Sequence, residues 1–323
     1  MMGSSIKWSA VLLVLLVLLA GPIGCQRGIT PIRTAYNKGV YHFSKRNYEE
    51  AIAEYRDALG ANPRDHRAHF NLAVALEARA EELERAGEAR SAAELDAQAE
   101  TAYRDLLRLK PDDLRASINL AACEYENGQT AAAKERLRGL IELYPGVALP
   151  GTALAAHRLA EAREAETGDE RSRLLDEARG LIDAAVGIDP TNVAALMLQG
   201  DVAAALGDVD RARNSYRRAV KRDPSDIATL LALGCLEVEA ENWGQAGVWL
   251  QRVLYIDRDH PEGHALLATV LEKQGDLEGA TRHLWEARRL DDGAYPGIGS
   301  PEYRERLVGL YLRLLRSEED GAP

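Results

Sequence analysis

Apolar and small residues recur at every third or fourth position through most of this chain, the spacing of one face of an α-helix. The stretch from Val193 to Pro224 shows it most clearly. Its first half carries Leu196, Gly200 and Ala203, its second Ala212, Tyr216, Ala219 and Val220, and Gly207 stands between them. This spacing predicts two short helices meeting at Gly207. Gly200 and Ala212 are small where helices must cross closely, and Tyr216 is large where a gap must be filled. Pro224 marks the end of the second helix, because its ring cannot continue one. A single hairpin of this size cannot bury its own apolar face, so the pattern calls for copies of itself.

The copies are present. Pro63, Pro111, Pro145, Pro190 and Pro224 close successive units, and Arg258 and Asp292 hold the same slot in two more, with spacings of 48, 34, 45, 34, 34 and 34. The small residue opening each second helix recurs as Ala51, Ala99, Ala133, Ala178, Ala212, Ala246 and Ala280. Four places later stand Tyr55, Tyr103, Leu137, Ile182, Tyr216, Leu250 and Leu284. The run Gly200, Gly207, Ala212-x3-Tyr216-x2-Ala219-x4-Pro224 resembles the tetratricopeptide repeat (TPR), a 34-residue helix-turn-helix. The resemblance covers residues 32–292. It implies an all-α, right-handed superhelical solenoid of about seven hairpins, each burying its face on its neighbours.

Two repeats are long. The second has 14 extra residues, which the position of Gly87 divides into seven on each helix; the fourth has 11 extra, with Gly168 displaced by six. The inserted sequences EARAEELERA and SAAELDAQAE are rich in helix formers. They are expected to lengthen the second hairpin by roughly 10 Å at 1.5 Å per residue.

A length of 323 residues suggests two domains, but the repeats point to one elongated domain. The formal net charge is −11 and no basic tract is present, which argues against nucleic-acid binding, since phosphate contacts need clustered Lys and Arg. Residues 1–24 read as a leader. Lys7 precedes an unbroken apolar run, Ala10 to Ala20, too short for the roughly 20 residues that span a bilayer but suited to a secretory signal. Ile23-Gly24-Cys25 resembles the lipobox of bacterial lipoproteins, although Pro22 replaces the usual leucine. The resemblance implies acylation of Cys25, a short tether over 25–31, and a membrane-anchored position in the bacterial cell envelope with the repeats periplasmic or otherwise extracytoplasmic. An uncleaved anchor is the other possibility.

Candidate chemistry is sparse. Cys123 and Cys235 lie on first helices of the third and sixth repeats and read as small buried hydrophobes. His260 and His264 are four apart, a spacing that can bind metal on a helix. Pro261 between them belongs at the first helical position, which puts His260 at the cap, and a zinc site needs further ligands. His264 and His69 are expected to pack. The sequence contains no Gly-rich phosphate loop, nucleophile elbow or Cys-x-x-Cys. No catalytic residue, metal or cofactor is assigned, and a non-enzymatic scaffold is the expectation. A metal-dependent enzyme or a self-associating structural protein are the alternatives.

Residues 293–300 (GAYPGIGS) break the pattern. Pro301 then opens a helix over 301–316 with an apolar stripe of Tyr303, Leu307, Leu310, Tyr311, Leu314 and Leu315, expected to cap the last repeat or to dock a partner. An acidic tail over 317–323 reads as disordered.

The resemblance further implies that positions two, five, six and nine of each first helix line an inner groove. Positions two and six are Arg33 and Asn37, Arg67 and Asn71, and Arg115 and Asn119 in the first three repeats; position five is Tyr36, Phe70 and Ile118. Asn offers a donor and an acceptor to a peptide backbone. Arg offers a planar fork to carboxylates. A peptide or protein partner is expected there. Later repeats carry Leu198, Ala232 and Leu266 at position six and Met197, Leu231 and Ala265 at position five, so the groove is expected to turn apolar.

Overall fold

The computed structural model describes residues 35–291 together with Glu305, Arg306, residues 308–310 and Arg313. The leader, Cys25, Arg33, Asp292, the acidic tail, and Tyr303, Leu307, Tyr311, Leu314 and Leu315 of the last stripe lie outside the described residues. The chain forms two compact units that divide between Pro145 and Gly146. In the first, α1 (Ala35–Ser44) pairs with α2 (Tyr48–Ala61), α3 (His66–Arg85) with α4 (Ala89–Leu109), and α5 (Leu114–Glu126) with α6 (Thr130–Leu143). In the second, α7 (Ala148–Glu164) pairs with α8 (Gly168–Ile188) and α9 (Val193–Ala205) with α10 (Val209–Arg222). There α11 (Ile227–Glu239) also pairs with α12 (Trp243–Ile256), and α13 (Pro261–Gln274) with α14 (Leu277–Leu290). Among the described residues there is no strand, and no helix is long and apolar enough to cross a membrane.

Local chemistry sets the boundaries. Each second helix ends two residues before the proline slot. The residue preceding proline is pushed into extended backbone, as at Asn62 and Lys110, both at φ −140°. Asp257, before Arg258, adopts φ −125°, so the geometry persists where proline is missing. Two residues past the slot a side chain caps the next helix, except at Val147, which makes no side-chain cap. Asp65, Asp113, Asn192 and Asp226 each accept from a backbone N–H of the first turn. His260 fills that slot in the last pair, its Nδ1 accepting from Gly263 N at 3.1 Å with Pro261 behind it.

Within hairpins, Gly87, Gly128, Gly207 and Gly275 take the left-handed turn position, and Arg46 and Glu241 occupy it without being glycine. The fourth pair, whose hairpin the displaced Gly168 marks, turns differently. Gly168 starts α8, capped by the Thr167 hydroxyl, and no residue of that turn is left-handed. The long spacings are taken up as helix. α3 and α4 run 20 and 21 residues and α7 and α8 run 17 and 21, against 13 and 14 for α9 and α10.

The seven alanines that open the second helices are all fully buried, and the bulky residue four later is at most 3% exposed in every pair. In three of the pairs the packing partner of that bulky residue is a glycine of its own first helix. A Cβ on Gly39 would stand 2.6 Å from the Tyr55 ring, on Gly200 2.3 Å from Tyr216, and on Gly234 2.7 Å from Leu250. Ion pairs then tie hairpins together. Arg213 on α10 grips Glu237 on α11 through Nε and Nη2 at 2.7 and 3.1 Å. At the end of the second unit, Leu310 is fully buried against Ala268, Ala280, Leu284 and Ala287. Arg306 and Arg313 both bind Glu272 on α13. This C-terminal segment caps the apolar side of the last hairpin.

Candidate protein-binding face

In the first unit the first helices lie side by side: α1 touches α3, and side chains of α5 reach α3. Their shared face carries a ladder of arginines on rings. The Arg67 guanidinium lies over Tyr36 at 5.1 Å, and that of Arg115 over Phe70 at 5.0 Å, so each arginine rests on the aromatic residue of the preceding repeat. Both arginines are exposed. Arg67 Nε makes a 3.5 Å contact with its own helix cap, Asp65, and Arg115 interacts electrostatically with its own cap, Asp113. Of the predicted set, Tyr36, Asn37, Phe70 and Asn71 are half-buried on this face, while Arg33 lies outside the described residues.

Two positions differ from the expectation of solvent-facing groups. Ile118 is 3% exposed and belongs to the core. Asn119 is 4% exposed, and its Nδ2 donates to the Tyr103 hydroxyl at 2.8 Å. Asn71 is held in a related way, its Nδ2 donating to the Tyr36 hydroxyl at 3.1 Å and its side chain also bonding Tyr55. The physical cause is the tyrosine in the bulky slot of α2 and of α4. Its ring fills the gap at the small residues, and its hydroxyl emerges between first helices, where a buried O–H requires a partner. Position six of the next repeat is within reach, and there asparagine serves. Where the bulky residue is Ile182 or Leu250, position six is Leu198 or Leu266. Tyr216 instead donates to Asp201 on its own first helix at 2.6 Å, and the next position six is Ala232.

Behind Asn119 lies a network missed at the level of sequence. Tyr103 donates to Glu77 Oε2 at 2.8 Å and Cys123 to Glu77 Oε1 at 3.3 Å. Burial pushes the Glu77 carboxyl up to about 8, with the two hydrogen bonds only partly opposing it, and burial also raises the Cys123 thiol. Asp96 nearby is pushed up to about 6, by burial first and then by Glu84. The signal was available: a carboxylate on the helix face beside a tyrosine slot and a cysteine.

On the corresponding face of the second unit Ala232, Ala265 and Leu266 are half-exposed, as an apolar groove needs. Met197, Leu198 and Leu231 are at most 9% exposed and pack inward. Asp201, Cys235 and Glu262 there are half-exposed, and Glu239 is exposed. Burial pushes Asp201 up to about 6 and raises Glu262. Cys123 and Cys235 are both free thiols.

Sequence models described as tetratricopeptide repeat match residues 36–98, 97–148 and 169–227 in one case and 203–270 in another. No curated protein matches the chain. Among solved structures it is similar to yeast Tom70, with a TM-score of 0.61 and 14% identity over 93% of this chain and 70% of that one. It is also similar to a tetratricopeptide repeat protein from Parabacteroides merdae, with a TM-score of 0.52 and 16% identity over 86% of this chain and 97% of that one. YrrB, a TPR protein with an unusual peptide-binding site, aligns at a TM-score of 0.45 and 16% identity over 59% of this chain and 92% of that one. The buried alanine and the buried bulky residue four later repeat in all seven pairs, and a single repeat model matches more than half of the residues. The chain therefore belongs to the tetratricopeptide repeat family.

Proposed function

We propose that the first-helix face of residues 35–145 binds an acidic segment of a peptide or protein partner, and that Cys25 tethers the chain to a bacterial membrane as a scaffold for assembling a cell-envelope complex. Tetratricopeptide stacks are in general non-enzymatic protein-interaction scaffolds, and a role of that class needs no catalytic residue. The observation that carries the site is the pair of stacked guanidiniums. A ring beneath a guanidinium fixes its plane and leaves the in-plane N–H fork for a carboxylate. Less side-chain entropy is then lost on binding. The tether rests on the leader sequence and Ile23-Gly24-Cys25, where processing to more than one acyl chain gives stable anchoring.

One experiment has two arms. Arg67→Ala/Arg115→Ala is used beside the parent to capture partners from solubilised native membranes. A charged hydrogen bond contributes about 1.5–3 kcal/mol, so removing both arginines is expected to weaken capture about a hundredfold or more. Unchanged capture refutes the site. In the second arm, Cys25→Ser is expected to leave the leader unprocessed or to move the protein to the soluble fraction. Unaltered intact mass and fractionation contradict the lipid tether and favour an uncleaved anchor.

A further inference from the structure

His264 on α13 is 8% exposed, and both ring nitrogens are engaged. Nε2 lies 2.9 Å from the Arg258 carbonyl oxygen, and Nδ1 lies 2.7 Å from Nδ1 of His283 on α14. A carbonyl only accepts, so Nε2 of His264 carries its hydrogen. Two nitrogens at hydrogen-bond distance share one hydrogen, so neutral His264 accepts at Nδ1 and His283 donates. His69 in the second pair meets the Pro63 carbonyl in the same way, at 3.0 Å, so the carbonyl contact belongs to the repeat position. The last pair adds a second imidazole across the helix interface. The two rings lie 5.0 Å apart, beside the cluster of Ala268, Ala280, Leu284 and Ala287 on which Leu310 rests.

We propose that the His264–His283 pair accepts one added proton but not two, so that mild acid parts α13 from α14 and loosens the seat of the C-terminal capping segment. A first proton on the outer Nε2 of His283 leaves the Nδ1–H donor in place and strengthens the bond by charge. A second must go onto Nδ1 of His264, where it sets N–H against N–H between two cations.

The surrounding charges set where this happens. Burial, then the His264 ring and Arg282, hold His283 below the usual imidazole range, while Asp276 at the α14 cap and Glu286 on α14 oppose that shift. From the α12–α13 turn the facing groups are His260, itself held low by burial, and Asp257. Arg306 and Arg313 of the last segment are both occupied by Glu272. The unfolded chain takes up both protons near its ordinary value of about 6.5, whereas the folded pair has no place for the second, so stability is present above that value and falls as pH drops below it. The loosening therefore comes on the acid side.

The test is hydrogen–deuterium exchange on the full chain at about pH 7.5 and about pH 5, corrected for the intrinsic rate. Peptides from α13 and α14 are expected to lose protection about tenfold or more, while α9 and α10 change less than about twofold. His283→Gln should remain folded and lose this contrast, because the glutamine amide can flip to donate to, or accept from, His264. His264→Gln makes the same test from the other ring, since its amide can donate to Arg258 and accept from His283. A parent chain without the contrast, a uniform loss across the second unit, or a full contrast in either folded variant overturns the proposal.

Discussion

Gly200→Leu is expected to destabilise the second unit by about 3 kcal/mol or more, the upper end of what overpacking costs. Leucine is a good helix former, so propensity favours the substitution and cannot cause the loss. The cause is space. The first added carbon would stand 2.3 Å from Cε1 and 2.5 Å from Cδ1 of Tyr216. That ring cannot swing away: it is 3% exposed and its hydroxyl is tied to Asp201 at 2.6 Å. Gly180 on α8 is the control. It is exposed with nothing within 4 Å of an added Cβ, so Gly180→Ala should stabilise by about 1 kcal/mol. Urea unfolding of both variants makes the comparison. Adding Tyr216→Ala to Gly200→Leu should recover part of the loss, the coupling that a double-mutant cycle measures. Equal effects at Gly200 and Gly180, or additive effects at Gly200 and Tyr216, would show the glycine-against-ring packing to be wrong.

Glu77→Gln is expected to make the first unit more stable than the parent in mildly alkaline solution, by about 3–5 kcal/mol at full ionisation of Glu77. Folding raises this carboxyl from an ordinary value of 4.5 to about 8, mainly through burial. The folded state therefore holds a proton that the unfolded chain has released. The contribution is fully present below the unfolded value and is lost as pH rises through about 8. Glutamine is neutral throughout, accepts from Tyr103 through its oxygen, and places its amide toward Cys123. Unfolding in urea at about pH 5 and about pH 9 should show a gap between variant and parent that opens with pH. A gap that is constant across that range would mean that Glu77 is ionised in the folded protein.

The repeat register was legible because three separate constraints fall at fixed spacing: small residues at the crossing, a bulky residue that fills it, and extended backbone after the second helix. Even Arg258, lacking the proline ring, keeps the slot because Asp257 before it and the His260 cap after it keep the turn. The turn of the fourth hairpin was not legible. Gly168 marked the place of the hairpin in the sequence, yet Thr167 provides a cap and the chain starts α8 there instead. The site was legible in part. Positions of Arg67, Arg115 and the aromatic residues follow from the groove positions that the repeat resemblance implies. The fate of Asn119 does not, because it depends on a hydroxyl from a neighbouring pair. Position six satisfies a tyrosine before it offers anything to a ligand, and seeing that requires reading it against the bulky slot 16 residues earlier. Burial of Met197 and Leu231 likewise depends on how closely the first helices approach, which period alone does not set.

The most direct measurement of partner binding on the first-helix face is site-specific photocross-linking in intact cells. A photoreactive residue is placed at Arg67 or Arg115 on that face, and at Asp57 or Arg138, exposed positions on the second helices α2 and α6. The expected result is the same adduct from positions 67 and 115 and none from 57 and 138. Adducts confined to positions 57 and 138 would place the partner on the opposite layer of helices and contradict the binding face proposed here.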